Sequence, residues 1–217
     1  MCRVTAWKNR QVPLTSETVV PGLDHVVLAG GTPSQWLQMT SAEWVARLEE
    51  VARGAKAGAA HWVTILPHHG NDLTNSERSL FTERMLATGR VEAVVVGAEP
   101  RFVFRANADL AVIVDPIADG HGRFAAVVEA LRLSGFHPDD VSEETLSQAL
   151  LAPADKETDL VVVLGPPDRL PESMVWELAY SELVFIDIDW SMLTASHLEL
   201  AIDDFNRRHR RFGGLDS

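Results

Sequence analysis

Three stretches carry residues whose types and spacing could do chemistry. Residues 30–36 read Gly-Gly-Thr-Pro-Ser-Gln-Trp and follow an apolar run, His25-Val26-Val27-Leu28-Ala29. A strand that stops at a glycine turn ahead of a helix is where α/β proteins hold phosphate, because backbone N–H groups and the helix dipole face the anion. This turn has no Lys, Arg or carboxylate of its own. The second stretch is Arg207, Arg208, Arg210 and Arg211 around His209, followed by Phe212-Gly213. It can complement a helix C-terminus, with glycine as the cap, or hold a multiply charged anion. The third is Pro67-His68-His69-Gly70-Asn71-Asp72. Adjacent histidines do not easily face one ion and no third ligand is identifiable, so a polar loop is the better reading than a metal centre.

The elements that must position these residues alternate. Short Val/Ile/Leu runs at 25–28, 62–66, 92–96, 110–114, 160–164 and 184–188 predict six strands. Their continuous apolar character marks strands covered on both faces. Between them, apolar residues recurring at three and four predict helices at 41–56, 76–87, 122–134, 142–150 and 194–208. Thr40 and Glu43 have capping-box spacing, and Ser142 is placed as an N-cap. The fold class is therefore α/β, a central, mainly parallel, six-stranded sheet flanked by helices. One domain spans 1–217, with residues 1–21 as an N-terminal extension and 207–217 as a tail. Ligands in such sheets sit at the carboxyl ends of the strands, which directs attention to 29–36, 67–75, 115–123, 164–173 and 176–190. Residues 70–75 and 101–107 are expected to be the mobile parts.

A formal net charge of −12 argues against a broad nucleic-acid face. No apolar stretch approaches the roughly 20 residues of a membrane span, and the first residues lack a signal-peptide core. The single Cys2 leaves no internal disulfide and no Cys-based zinc site, which fits a cytoplasmic protein.

The last third is the specific part. Trp176-Glu177-Leu178-Ala179-Tyr180-Ser181-Glu182-Leu183, then Trp190, then Arg210-Arg211-Phe212-Gly213 resemble the C-terminal half of the cis-prenyltransferases, the undecaprenyl diphosphate synthase family. That family carries Trp-Gln-Leu-Ala-Tyr-Ser-Glu-Leu, a Trp and a final Arg-Arg-Phe-Gly. The resemblance extends more weakly over 22–214 and implies the family's dimeric α/β fold. It also gives the opening turn a reading. The family's His-Val, strand, Asp-Gly-Asn-x-Arg-Trp is matched at His25-Val26 and Trp36. Gly31 stands where the family has its catalytic Asp, which handles magnesium, and Gln35 replaces the Arg that holds the allylic diphosphate.

The resemblance implies the same loss elsewhere. The family's Phe-Ser-x-x-Asn-Trp loop is unrecognisable at 67–72. Of its Arg-x-Ser-Gly-Glu-x-Arg-x-Ser loop, which binds isopentenyl diphosphate, only Arg169 remains. Burying a diphosphate without paired cations costs several kcal/mol. Gly120-His121-Gly122-Arg123 sits where the family has Asn-Tyr-Gly-Gly-Arg and reads as a helix entry, with Arg123 available to support a site. Asp109, Asp115 and Asp119 read as turn formers or caps. The family's prenyl tunnel runs between helices matching 41–56 and 76–88, where Trp44, Phe81 and Met85 would close it.

A dead catalytic loop with a live C-terminal Arg-x-Gly is similar to the Nogo-B-receptor-type accessory subunits. The expectation is a non-catalytic subunit paired with a motif-complete cis-prenyltransferase in a heterodimer or larger assembly, a homodimer being the other option. Arg211, Gly213 and Arg169 would contact prenyl diphosphates in the partner's site, Glu182 would help place a metal, and Mg2+ would act in the assembled complex. Membrane contact would be peripheral at most, and no nucleic acid is expected. The competing readings are a stand-alone divergent prenyltransferase or terpene-synthase-like enzyme, and a non-enzymatic binding protein.

Overall fold

The computed structural model describes residues 22–97, 99–179 and 181–212, the last four of these by backbone alone. Strands β1 (His25–Ala29), β2 (Trp62–Leu66), β3 (Val91–Val96), β4 (Glu99–Arg105), β5 (Ala111–Val114), β6 (Leu160–Leu164) and β7 (Glu182–Ile186) form one sheet in the order β3-β4-β5-β2-β1-β6-β7. From β5 across to β7 every neighbouring pair is parallel, while β4 is antiparallel to both β3 and β5.

The sheet thus has seven strands rather than six, and the additional one is β4. Most of the segment expected to be mobile, 101–107, lies in it. Phe102 and Phe104 go into the core on one face and Val103 on the other, all 1–2% exposed. Pro100, Arg101 and Arg105 disguise this strand in the sequence, because proline and isolated charges normally mark a strand edge or loop.

The helices are α1 (Pro33–Gln38), α2 (Ser41–Lys56), α3 (Asn75–Leu86), α4 (Gly120–Leu133), α5 (Glu143–Leu151) and α6 (Ala195–Phe212). Alternate strand residues feed two cores. Val26, Leu28, Val63, Ile65, Val112 and Val162 pack with Trp44 and Leu48 of α2, Phe81 and Met85 of α3, and Leu198, Ile202 and Phe205 of α6. On the other face Val27, Ala29, Val161 and Val163 meet Met174 and Leu178 of the long β6–β7 connection. Burying both faces is what the continuous apolar runs require.

The caps are largely written in the sequence. Thr40 and Glu43 close the expected capping box on α2, and Thr74 with Glu77 does the same for α3. Helix α1 was not anticipated, although Thr32-Pro33-Ser34-Gln35 has the same logic. Thr32 Oγ1 accepts from Gln35 N at 3.1 Å, Gln35 Oε1 accepts from Thr32 N at 3.0 Å, and Pro33 takes the first turn.

Candidate functional site

Strands β2 and β6 leave β1 in opposite directions across the sheet, so the switch point of the topology lies at the carboxyl end of β1. A cleft of about 550 Å³ opens there, lined by Gly31, Thr32 and Gln35 from the β1–α1 turn and His68 and His69 after β2. Gly165, Asp168 and Arg169 line it from the β6–β7 connection, and Asp187, Asp189 and Trp190 from the chain after β7. Backbone bonds join the walls. His68 N donates to Gly31 O at 2.9 Å, and Glu172 N donates to His68 O at 3.2 Å.

The centre of the cleft has no room for a side chain at residue 31. A Cβ on Gly31 would lie 2.9 Å from Trp190 Cγ and 2.9 Å from Trp36 Nε1, and the backbone there has φ +70. Both indoles are buried, and Trp36 Nε1 donates to Gly30 O at 3.1 Å, so neither ring is free to step aside. An L-residue would have to adopt a left-handed conformation while displacing two packed aromatic rings.

Behind that turn, the space between α2 and α3 is filled. Trp36 meets Trp44 edge-on at 5.6 Å, Trp44 meets Phe81 at 5.6 Å, and Phe81 meets Phe102 at 5.4 Å. Trp190 joins the cluster 5.8 Å from Trp36. These contacts are edge-on or tilted, the arrangement aromatic rings prefer. The side chains expected to close a tunnel, Trp44, Phe81 and Met85, are all core residues at 0–1% exposure.

The electrostatics of the cleft do not favour an anion. Arg169 is exposed and lines the cleft together with the exposed carboxylates Asp168, Asp187 and Asp189. His68 is buried, with its Nδ1 2.8 Å from His69 Nδ1. Burial, then the neighbouring His69, push its pKa down, against pulls from the Arg169 carbonyl and Glu172. A neutral His68 brings no positive charge. Among the described residues no three His, Cys, Asp or Glu side chains converge as a metal centre would need. On the far side of Trp190 a second cleft of about 560 Å³ is lined by α2 and shares Gln35 and Asp189. Its cation, Arg47, is already engaged, donating to Leu193 O at 2.5 Å and Ser191 O at 3.1 Å and stacking over Trp190 at 4.8 Å.

Of the four candidate residues, the structure describes the side chains of Arg169 and Glu182, and it sets these two at opposite ends of the strands. Arg169 lies at the carboxyl edge of the sheet. Glu182 is the first residue of β7, roughly 13 Å along the strand from that edge, and it pairs with Arg208 of α6, Nη1 to Oε2 3.9 Å. Arg211 is on the last turn of α6, whose end lies beside the start of β7; its side chain and Gly213 are outside the described residues. Tyr180 and the extension 1–21 are outside them too.

Sequence reasoning missed a buried charge network under the cleft wall. Arg101 Nε donates to Asp115 Oδ2 at 2.9 Å, Arg123 Nη1 is 3.6 Å from the same oxygen, and Arg123 Nη2 donates to Glu177 Oε1 at 2.5 Å and to Ser173 O at 3.1 Å. All four side chains are at most 5% exposed. Burial pulls Arg101 down despite Asp115. For Arg123, burial is outweighed by Glu177 and Asp115, which raise it. Arg123 therefore works inside the protein rather than at the cleft, and Asp115 is an ion-pair partner rather than a plain turn former. Asp119 does cap α4, accepting from Gly122 N at 3.0 Å. The available signal was Glu177, a charge in the middle of an apolar motif where the resembled family has Gln. Asp187 and Asp189 were also missed, although Ile186-Asp187-Ile188-Asp189 puts two carboxylates straight after a strand.

Comparison with known proteins places the similarity in the second half of the chain. Residues 125–213 match the family model Prenyltransf, described as "Putative undecaprenyl diphosphate synthase". The match is to a prenyltransferase family. The isoprenyl transferase 2 of Bradyrhizobium diazoefficiens is 44% identical over 78 residues, 36% of this chain and 31% of that protein. The farnesyl-diphosphate-specific ditrans,polycis-undecaprenyl-diphosphate synthase of Lactiplantibacillus plantarum is 41% identical over 80 residues, 35% of this chain and 30% of that one. An isoprenyl transferase of Streptococcus mutans is 34% identical over 106 residues, 44% and 43% of the two chains. The chain thus spans between about a third and under a half of the relatives it matches.

The fold is shared over much more of the chain. Lavandulyl diphosphate synthase from Lavandula x intermedia, solved with dimethylallyl diphosphate, superposes with a TM-score of 0.56 over 84% of this chain and 94% of its own, at 13% identity. A probable undecaprenyl diphosphate synthase from Campylobacter jejuni gives 0.53 over 88% and 98%, at 16% identity. The α/β architecture is therefore that of prenyl diphosphate synthases of this type. No helix among the described residues is long and apolar enough to cross a membrane.

Proposed function

We propose that this chain is a catalytically silent, cis-prenyltransferase-like subunit. It pairs with a motif-complete chain of the same fold and helps that partner build polyprenyl diphosphate from farnesyl or another allylic diphosphate and isopentenyl diphosphate. Gly31 carries the reading. The position the resemblance assigns to a catalytic carboxylate is walled in by Trp190 and Trp36 at 2.9 Å, so it cannot hold one without rebuilding the cleft. The filled space behind it and the excess of carboxylates around Arg169 support the same conclusion.

The distribution of similarity supports a role for the other half. The family match begins at residue 125, after the β1–α1 turn and the His68 loop, and runs through Arg211-Phe212-Gly213. In this reading Arg211 binds a diphosphate in the partner's site, where a guanidinium forms charge-assisted hydrogen bonds with phosphate oxygens, and Gly213 lets the backbone approach. The end of α6 lies at the edge of the sheet opposite the chain's own cleft, which suits action on a neighbour. Magnesium belongs to the partner's site.

The test is reconstitution. The purified chain is mixed with the motif-complete homologue from the same source and assayed for incorporation of labelled isopentenyl diphosphate onto farnesyl diphosphate. The proposal predicts that the mixture exceeds the partner alone and that Arg211→Ala removes the gain. A mixture no more active than the partner alone would overturn it.

A further inference from the structure

We infer that Glu182 is a positioning residue for the C-terminal arginine segment, acting through Arg208. Among the described side chains, the apolar stripe that fastens α6 to the sheet is Leu198, Ala201, Ile202 and Phe205, each 1–2% exposed. Past that point Arg208 supplies a polar tie to the sheet. Its Nη1 lies 3.9 Å from Glu182 Oε2 and donates to Leu183 O at 3.4 Å, while its Nη2 donates to Asp204 Oδ2 at 2.5 Å. The Leu183 carbonyl, which accepts a hydrogen bond, and the Glu182 carboxylate, an ion-pair partner at 3.9 Å, belong to the start of β7, and Asp204 belongs to the preceding turn of α6, so the guanidinium bridges strand and helix.

Arg211 and Phe212 follow Arg208 by three and four residues, which puts them on the same helix face one turn further on. The grip on Arg208 thus sets the rotation and exit direction of the helix end that carries Arg211. Glu182 is a fixed point for this purpose, because Glu182 N donates to Asp159 O at 2.9 Å and β7 pairs in register with β6. The Arg208 side chain is 44% exposed and that of Glu182 29%, and such pairs add little to global stability. Their effect is local order at the end of α6.

The inference rests on the reading that the tail acts in trans, and its test has an arm that does not. In the chain alone, hydrogen–deuterium exchange is compared for wild type, Glu182→Gln and Glu182→Asp. Glu182→Gln should speed exchange at 208–212 by about two- to fivefold, the range an exposed pair supports, while 195–205 and the melting temperature stay unchanged. Glu182→Asp, which keeps the charge, should exchange like wild type. In the reconstituted mixture Glu182→Gln should raise the KM for isopentenyl diphosphate with kcat and subunit affinity unchanged. Unchanged exchange at 208–212 in Glu182→Gln would overturn the inference, and so would equal acceleration in Glu182→Asp. An inactive wild-type mixture would sink the accessory reading instead, leaving the exchange arm to decide this one.

Discussion

Replacing Gly31 by alanine adds a single methyl group at a crowded point of the cleft. Two costs can be worked from the structure. The backbone at φ +70 is left-handed, and an L-residue there costs about 1–2 kcal/mol. The new Cβ would sit 2.9 Å from Trp190 Cγ and 2.9 Å from Trp36 Nε1. Forcing packed side chains off such a contact typically costs about 1–3 kcal/mol. Together the loss is about 2–5 kcal/mol, which for a chain of this size lowers the melting temperature by roughly 4–20 °C. Urea unfolding followed by tryptophan fluorescence reads it directly, because two of the indoles form the clash. Gly31→Asp should lose at least as much and gain no prenyl-transfer activity. If Gly31→Ala unfolds within about 0.5 kcal/mol of wild type, the cleft has room for a side chain and the argument that its walls exclude a carboxylate is wrong.

Other perturbations test other parts. Glu177→Gln removes one of two acids facing two buried arginines, and breaking a buried pair by losing one partner should cost about 3–5 kcal/mol in urea unfolding; a loss under 1 kcal/mol would mean that Asp115 alone suffices. Phe81→Ala removes a ring at 1% exposure from the aromatic cluster and should cost about 3–5 kcal/mol; it should also open an apolar cavity that takes up xenon, and an unchanged affinity for xenon would show that the cluster collapses instead. Burial holds His25 and His68 below the usual histidine value, so between there and about 6.5 the unfolded chain binds more protons than the folded one. Their stabilising contribution is complete above about pH 6.5 and is lost as pH falls through the depressed folded values; the urea midpoint should drop between pH 7.5 and 5.5, His25→Gln should flatten the slope, and a flat wild-type profile would contradict this.

Much of the scaffold could be read from the residues. The continuous runs at 25–29, 62–66 and 160–164 can be satisfied only by burial on both faces, and Thr40 with Glu43 marks a helix start wherever it occurs. What escaped was set by partners distant in sequence. Strand β4 looks like a loop because Arg101 and Pro100 interrupt it, and inside the protein Arg101 is met by Asp115, fourteen residues on, and by the Ala152 carbonyl. Helix α1 hid behind two glycines, though Thr32 and Gln35 announced it. That the β1–α1 turn carries no charged side chain was legible from residue types, but the crowding around residue 31 depends on Trp190, which reaches the turn only through the folded sheet. The fold likewise sets Glu182 beside Arg208, a partner distant in sequence that its own motif does not announce.

The central claim is that this chain has no transfer chemistry of its own. The most direct measurement is a single-turnover assay with the purified chain alone, in excess over labelled isopentenyl diphosphate, with farnesyl diphosphate and magnesium. The account predicts no elongated product at any time. Elongated product that scales with the chain's concentration would contradict it, and would mean that the cleft beside Gly31 is an active site.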